Sequence, residues 1–313
     1  MNIKLFLIMG IVMGGIACDV NTSEKADTTP PPSPVQSRMI SSVPSPTIID
    51  TKIYNIYTWM ENFAPENALV NRIPVPARYE RKSIKKSSFA DWLRHLPLKP
   101  DGTNVRYFND TPKPNQGVHT AVIDIDTGKK DLQQCADAVM RLKAEYHYGL
   151  EEYRQIHFNY TSGDLVSFDD WRYGRKPIVA GSDVTFTARK KQADNSYKNF
   201  KKYMRAIFNY AGTYSLSKEM LNVPLNDMQI GDVFIQGGFP GHAVTVVDIA
   251  VHADTGKRLF LLAQSYMPAQ DMHILINPNN ATLSPWYSID FQGDLHTPEW
   301  TFTRGDLKRF AQN

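Results

Sequence analysis

The stretch from residue 232 to residue 276 constrains the fold more than any other part of the chain. It holds four short apolar runs, 232–236, 242–248, 258–264 and 271–276. Gly237-Gly238-Phe239-Pro240-Gly241 separates the first two, and Asp254-Thr255-Gly256-Lys257 separates the second from the third. Apolar runs bounded by glycine, proline and aspartate read as strands joined by tight loops. The region before them is different in kind. Residues 88–95 and 197–210 carry apolar residues at helical spacing, with Phe200, Tyr203, Met204, Ile207 and Phe208 on the inner face of the second. A further helix, capped by Asp131, would carry Leu132, Cys135, Val139, Leu142, Tyr146 and Tyr153 on one stripe. Residues 119–126 and 157–161 read as strands, and 164–194 as a mixed, turn-rich stretch. Helices first and antiparallel strands later is the α+β pattern. The expectation is an antiparallel sheet packed on a cysteine-bearing helix, with additional helices.

The N-terminus reads as an address rather than as structure. Residues 1–18 combine Lys4, an apolar run from Leu5 to Ile16 and a closing Cys18. The run is too short to span a bilayer, which takes about 20 helical residues. It has the form of a secretory signal. Gly15-Ile16-Ala17-Cys18 resembles a bacterial lipobox, which implies lipidation of Cys18 and a membrane anchor in the cell envelope, periplasmic or on the outer-membrane surface. Residues 19–50 are rich in Thr, Ser and Pro. Such a segment cannot bury enough apolar surface to offset its ordering entropy, and it reads as a disordered tether. Residues 51–313 remain for a single globular domain, and the chain's 42% hydrophobic residues suffice for a core.

A net charge of +3 is too mild for nucleic acid as the main partner. The basic run 78–86 could face an anionic envelope polymer such as peptidoglycan, or simply be a solvated face. The histidines are scattered, with no HExxH or CxxC and no glycine-rich phosphate loop, so no metal and no cofactor is expected. Asp124 and Asp126 could mimic a glycosidase pair, although Asp126-Thr127-Gly128 reads better as a turn. His157 and Asn159 open a polar patch. Trp92, Trp171, Trp286 and Trp300 could line a sugar-binding surface or sit in the core.

With Cys18 lipidated, Cys135 is the one remaining thiol. A helix N-terminus and a nearby imidazole both favour a thiolate, and the imidazole can serve as base if a third polar group orients it. His242 opens a strand directly after a glycine loop. If 242–248 and 258–264 pair as a hairpin, the start of the first meets the end of the second, and Gln264 becomes a neighbour of His242. Gln270, Asp271 and His273 could replace Gln264 in that role. The other reading of Cys135 is a small buried hydrophobe on the apolar stripe of its helix.

The order of helical cysteine, Gly231-Asp232-Val233-Phe234-Ile235, Gly241-His242-Ala243-Val244-Thr245-Val246-Val247 and Ala263-Gln264-Ser265-Tyr266 resembles papain-like cell-wall hydrolases of the NlpC and CHAP type. That resemblance implies a papain-like fold, with Cys135 as nucleophile, His242 as base and Gln264 as orienting group. Three features depart from it: the long interval from Cys135 to Gly231, a cysteine set inside its helix, and glutamine at the third position. Over nearly its whole length the chain also resembles a family of uncharacterised gut-bacterial lipoproteins, a domain of unknown function. Residues 88–94, 131–139 and 262–270 carry that likeness. Two functions stay open: an amidase or peptidase acting on cell-wall peptide, and a non-catalytic lipoprotein that binds envelope glycan or a partner protein.

Overall fold

The computed structural model describes residues 57–311, all within a compact unit spanning residues 46–313. The expected signal, Cys18 and the 19–50 tether lie outside the described residues.

The helices in chain order are α1 (Leu69–Arg72), α2 (Phe89–Arg94), α3 (Cys135–Gly149), α4 (Phe168–Arg172), α5 (Tyr197–Tyr210) and α6 (Thr213–Glu219). The strands are β1 (Tyr79–Arg81), β2 (His119–Val122), β3 (His157–Asn159), β4 (Leu165–Ser167), β5 (Pro177–Ala180), β6 (Asp183–Phe186), β7 (Met220–Asn222), β8 (Val233–Gln236), β9 (His242–His252), β10 (Arg258–Gln264), β11 (His273–Leu275), β12 (Tyr287–Ser288), β13 (Leu295–His296), β14 (Thr301–Phe302) and β15 (Leu307–Phe310). Nine strands form one sheet in the order β2-β11-β10-β9-β8-β15-β7, with β1 added to β9 and β12 to β10. Its pairings are antiparallel. The four expected strand runs become β8 to β11 at the centre of this sheet.

Register follows from the loops. Gln236 pairs with His242 across the glycine loop, and Ala263 pairs with Thr245. Side chains alternate between faces along a strand. His242 and Val244 therefore share a face, and Gln264, opposite Val244, shares it too. Gln264 in turn pairs with His273 on β11. Three polar side chains from three adjacent strands thus line up on one face of the sheet. Gly241 fits this turn because its backbone passes close to neighbours: a Cβ there would sit 2.6 Å from the carbonyl oxygen of Gln236.

The core has two parts. Helix α3 packs Ala138, Leu142 and Tyr146 into a cluster with Val244, Val246 and Leu262 of the sheet. Its Val139, Met140 and Ala144 enter a second cluster with Phe200, Tyr203, Val233, Ile235 and Ala243. Each large side chain taken out of water there stabilises the fold by roughly 1.5–3 kcal/mol. With apolar groups on both sides, α3 is fixed against β9 and α5 at once.

The start of α3 differs from the sequence expectation. Cys135 is its first residue and Gln134 its N-cap, with the Asp137 carboxylate accepting the Gln134 N–H at 3.0 Å. Asp131 is not the cap. Its Oδ1 accepts the Ala269 N–H at 2.7 Å and the Gln134 Nε2–H at 3.0 Å, tying the approach to the helix onto a distant loop. Tyr153 falls in a separate 3-10 turn, Tyr153–Gln155. The 119–126 strand ends at Val122. Helix α5 has the expected bounds, because the Ser196 hydroxyl accepts the Asn199 N–H at 3.3 Å and caps it locally.

Candidate functional site

His242 and Gln264 are joined by a 2.8 Å hydrogen bond, and Cys135, at the start of α3, lies against the peptide N–H of Ala243 where β9 begins. The Cys135 sulfur is within reach of the peptide N–H groups of Cys135, Ala136 and Ala243, each of which favours the thiolate. Ala243 follows His242 directly, so the sulfur sits against the backbone of the histidine's own strand. Burial works the other way and dominates. It pushes the thiol up to about 11, and the nearby Asp137 carboxyl adds to the rise.

The protonation pattern around His242 is fixed by its partners. Glu299 holds an ion pair with buried Lys113 at 2.5 Å, and its carboxylate can only accept. Gln264 therefore turns its Nε2–H group to Glu299, at 2.8 Å. The same amide nitrogen lies 3.3 Å from His273 Nε2. His273 Nδ1 donates to the Asp271 carbonyl at 2.8 Å, which leaves its Nε2 as an acceptor. The amide oxygen of Gln264 then faces His242 Nε2 at 2.8 Å. An amide oxygen accepts only, so Nε2 carries the proton and Nδ1 keeps the lone pair. A neutral imidazole with a free Nδ1 lone pair is what a general base requires. Burial lowers His242 to about 4 despite the Gln264 hydrogen bond, so the ring is neutral at pH 7.

Aromatic rings close the site. Tyr266 lies edge-on to His242 at 4.7 Å between centroids, Trp300 at 5.3 Å and Phe302, stacked, at 5.8 Å. They hold the imidazole in place and shield the His242–Gln264 bond from water. Cys135 itself remains partly exposed. Phe239 and Met267, on the loops just before β9 and just after β10, are 88% and 64% exposed. They stand at the same sheet edge as the thiol.

The loops that set this geometry are stitched to one another. Ser265 Oγ lies 3.1 Å from the Gln133 carbonyl oxygen and 2.8 Å from that of Gln270. With the Asp131 to Ala269 bond, this fastens residues 131–135 to residues 265–270. A family model described as a domain of unknown function (4846) matches residues 69–309. The chain belongs to this family. No curated protein matches the chain, and no solved structure does. The matched region of this family 4846 domain contains the whole constellation, from Lys113 to Glu299.

Other candidate residues of this domain have structural duties. Asp232, of the Gly-Asp motif, takes both a 2.6 Å and a 2.8 Å hydrogen bond from Arg309. Asp126 pairs with Lys201 at 2.6 Å and Arg141 at 3.3 Å, so its carboxylate is held in ion pairs within the protein. In the basic run, Arg81 bonds buried Asp248 at 2.7 Å and Arg78 pairs with Asp254, so the run is partly consumed internally. Trp92 and Trp286 are core residues. Asp271 binds Lys99 at 2.9 Å rather than His242. Gln270 is buried among protein groups. Among the described residues, no three His, Cys, Asp or Glu side chains converge as metal ligands. Glu299 and Lys113 were not among the sequence candidates, and Trp300 was one only for a sugar-binding surface or the core. They arrive from loops remote in the chain, and their only signal was a charged pair and a tryptophan without periodic context.

Proposed function

We propose that this protein is an envelope-anchored, papain-like cysteine hydrolase that cleaves an amide bond in cell-wall peptide. The single supporting observation is the His242–Gln264–Glu299 hydrogen-bond chain, which leaves the Nδ1 lone pair of His242 open on the strand whose next residue, Ala243, meets the Cys135 sulfur. In this mechanism Nδ1 takes the Cys135 proton as the sulfur attacks the amide carbonyl carbon. The carbonyl π electrons move to oxygen. The peptide N–H groups at the start of α3 face the resulting oxyanion, since the first N–H groups of a helix have no partner within it. The imidazolium then protonates the leaving amine, the C–N bond breaks, and an acyl-thioester remains. Water, deprotonated by the same Nδ1, releases the acid and the thiol. Gln264 and Glu299 hold the ring through both transfers. Exposed Phe239 and Met267 offer apolar contact to a peptide. Lipidation of Cys18 and a tether over 19–50 would hold the body off a membrane.

Digestion of purified muropeptides tests this reading. Wild type is expected to release a new amine and Cys135→Ala none; equal turnover by both removes Cys135 from the chemistry. The raised thiol favours a second reading, a non-catalytic lipoprotein that binds envelope glycan or a partner. That reading predicts no turnover by either protein and retention on an immobilised glycan.

A further inference from the structure

A cavity of about 1190 Å³ opens among residues of α2, α3, the 3-10 turn Tyr153–Gln155, β3, α4, α6 and β15, and none of Cys135, His242, Gln264 and Glu299 lines it. Six lysine or arginine and five aspartate or glutamate side chains do. Three of the carboxylates are satisfied within the protein: Asp232 by Arg309 at 2.6 Å, Asp169 by Arg172 at 2.7 Å, and Glu152 by His147 Nδ1 at 2.8 Å. Three charges are left over on partly buried side chains, on Lys82, Lys143 and Glu219, and the last two are the more deeply buried. Among the described residues the Lys143 ammonium has no carboxylate within ion-pair distance, Glu152 acting on it from farther off. It lies 5.1 Å from the centroid of Phe89 and 5.5 Å from that of Phe310. Among the described residues Glu219 receives only the Asn159 peptide N–H, at 2.8 Å on one oxygen.

A buried ion without a counter-charge is costly. Desolvation shows that cost at both groups: it lowers Lys143 and raises Glu219 to about 7. A ligand that brought one negative and one positive group would relieve both. The near balance of lining charges disfavours a polyanion. We infer that this cavity binds a zwitterion, a free amino acid or short peptide, with its carboxylate on Lys143 and its ammonium on Glu219. Phe89 and Phe310 supply an apolar wall for the chain between the two ends. Such a site does not depend on chemistry at Cys135.

The full chain is incubated with a pool of unmodified di- and tripeptides, and retained species are identified by mass spectrometry and titrated calorimetrically. The expected result is retention of at least one peptide, equal in wild type and Cys135→Ala. Its affinity falls about tenfold or more on N-acetylation, on C-amidation, in Lys143→Met and in Glu219→Gln, as expected when one partner of a desolvated charge pair is removed. Lys143→Arg restores most of the binding, which separates recognition from a folding defect. Retention of no peptide overturns the inference. So does equal binding of capped and free peptides, or of inorganic phosphate in their place.

Discussion

A thiol pushed up to about 11 and an imidazole pushed down to about 4 form a neutral pair at pH 7. Only about one sulfur in ten thousand is then thiolate, since each pH unit below a pKa costs a factor of ten. Alkylation of native Cys135 by iodoacetamide is expected to be slow at neutral pH and to rise about tenfold per pH unit through the alkaline range. A rate already on its plateau near neutrality would show a preformed ion pair instead. Under the proposed mechanism, deprotonation needs the substrate and His242 together. Gln264 acts through the ring, so Gln264→Ala should cost less than the ~10²–10⁴-fold that a general base supplies. The expected ranking in kcat/KM on muropeptide is wild type, then Gln264→Ala, then His242→Ala, with Cys135→Ala at background. Residues 242 and 264 were legible as partners because one short hairpin joins their strands. Glu299 was not, since nothing local in the sequence ties it to Gln264, 35 residues away.

Helix α3 carries Cys135 at one end and a buried charge network in its middle. Arg141 bonds Glu145 at 2.5 Å, the Gln133 side chain at 2.9 Å and Tyr197 at 3.1 Å. It thereby ties the helix to α5 and to the residues that lead into Cys135. Removing one partner of a buried ion pair leaves an uncompensated charge. Arg141→Met should therefore lower stability by about 3–5 kcal/mol, read from the urea midpoint. Gly241→Ala should act at the site instead, because the added carbon collides with backbone at Gln236. Its expected mark is a loss of activity larger than its loss of melting temperature. Helix α5 was readable to the residue because its serine cap is local. The start of α3 was misread because Asp131, a good cap by type, is used across the chain at Ala269. A side chain that can cap locally or bridge remotely gives the same letter in both cases.

Across the whole molecule, the two imidazoles joined through Gln264 make folding sensitive to acid. Burial lowers His242 to about 4 and His273 to about 3. In the unfolded chain both take up protons as pH falls below about 6.5. The folded chain does not follow until it reaches their depressed values. The unfolded state then binds more protons, so stability is lost as pH falls from about 6.5 towards 4. Melting temperature measured across that window should drop, and His242→Gln should flatten the slope by up to one proton. A flat wild-type profile would contradict the buried neutral ring. The α+β order of elements was open to sequence reading, because each strand of the central hairpins meets the next through a short loop. The cavity lined by Lys143 and Glu219 was not, because it collects residues from seven separate elements that share no pattern. The protonated state of Cys135 at rest has one last consequence. Peroxide and oxidised thiols react with sulfur as the anion, so exposure of the native protein to peroxide should convert Cys135 to sulfenic acid only slowly at neutral pH.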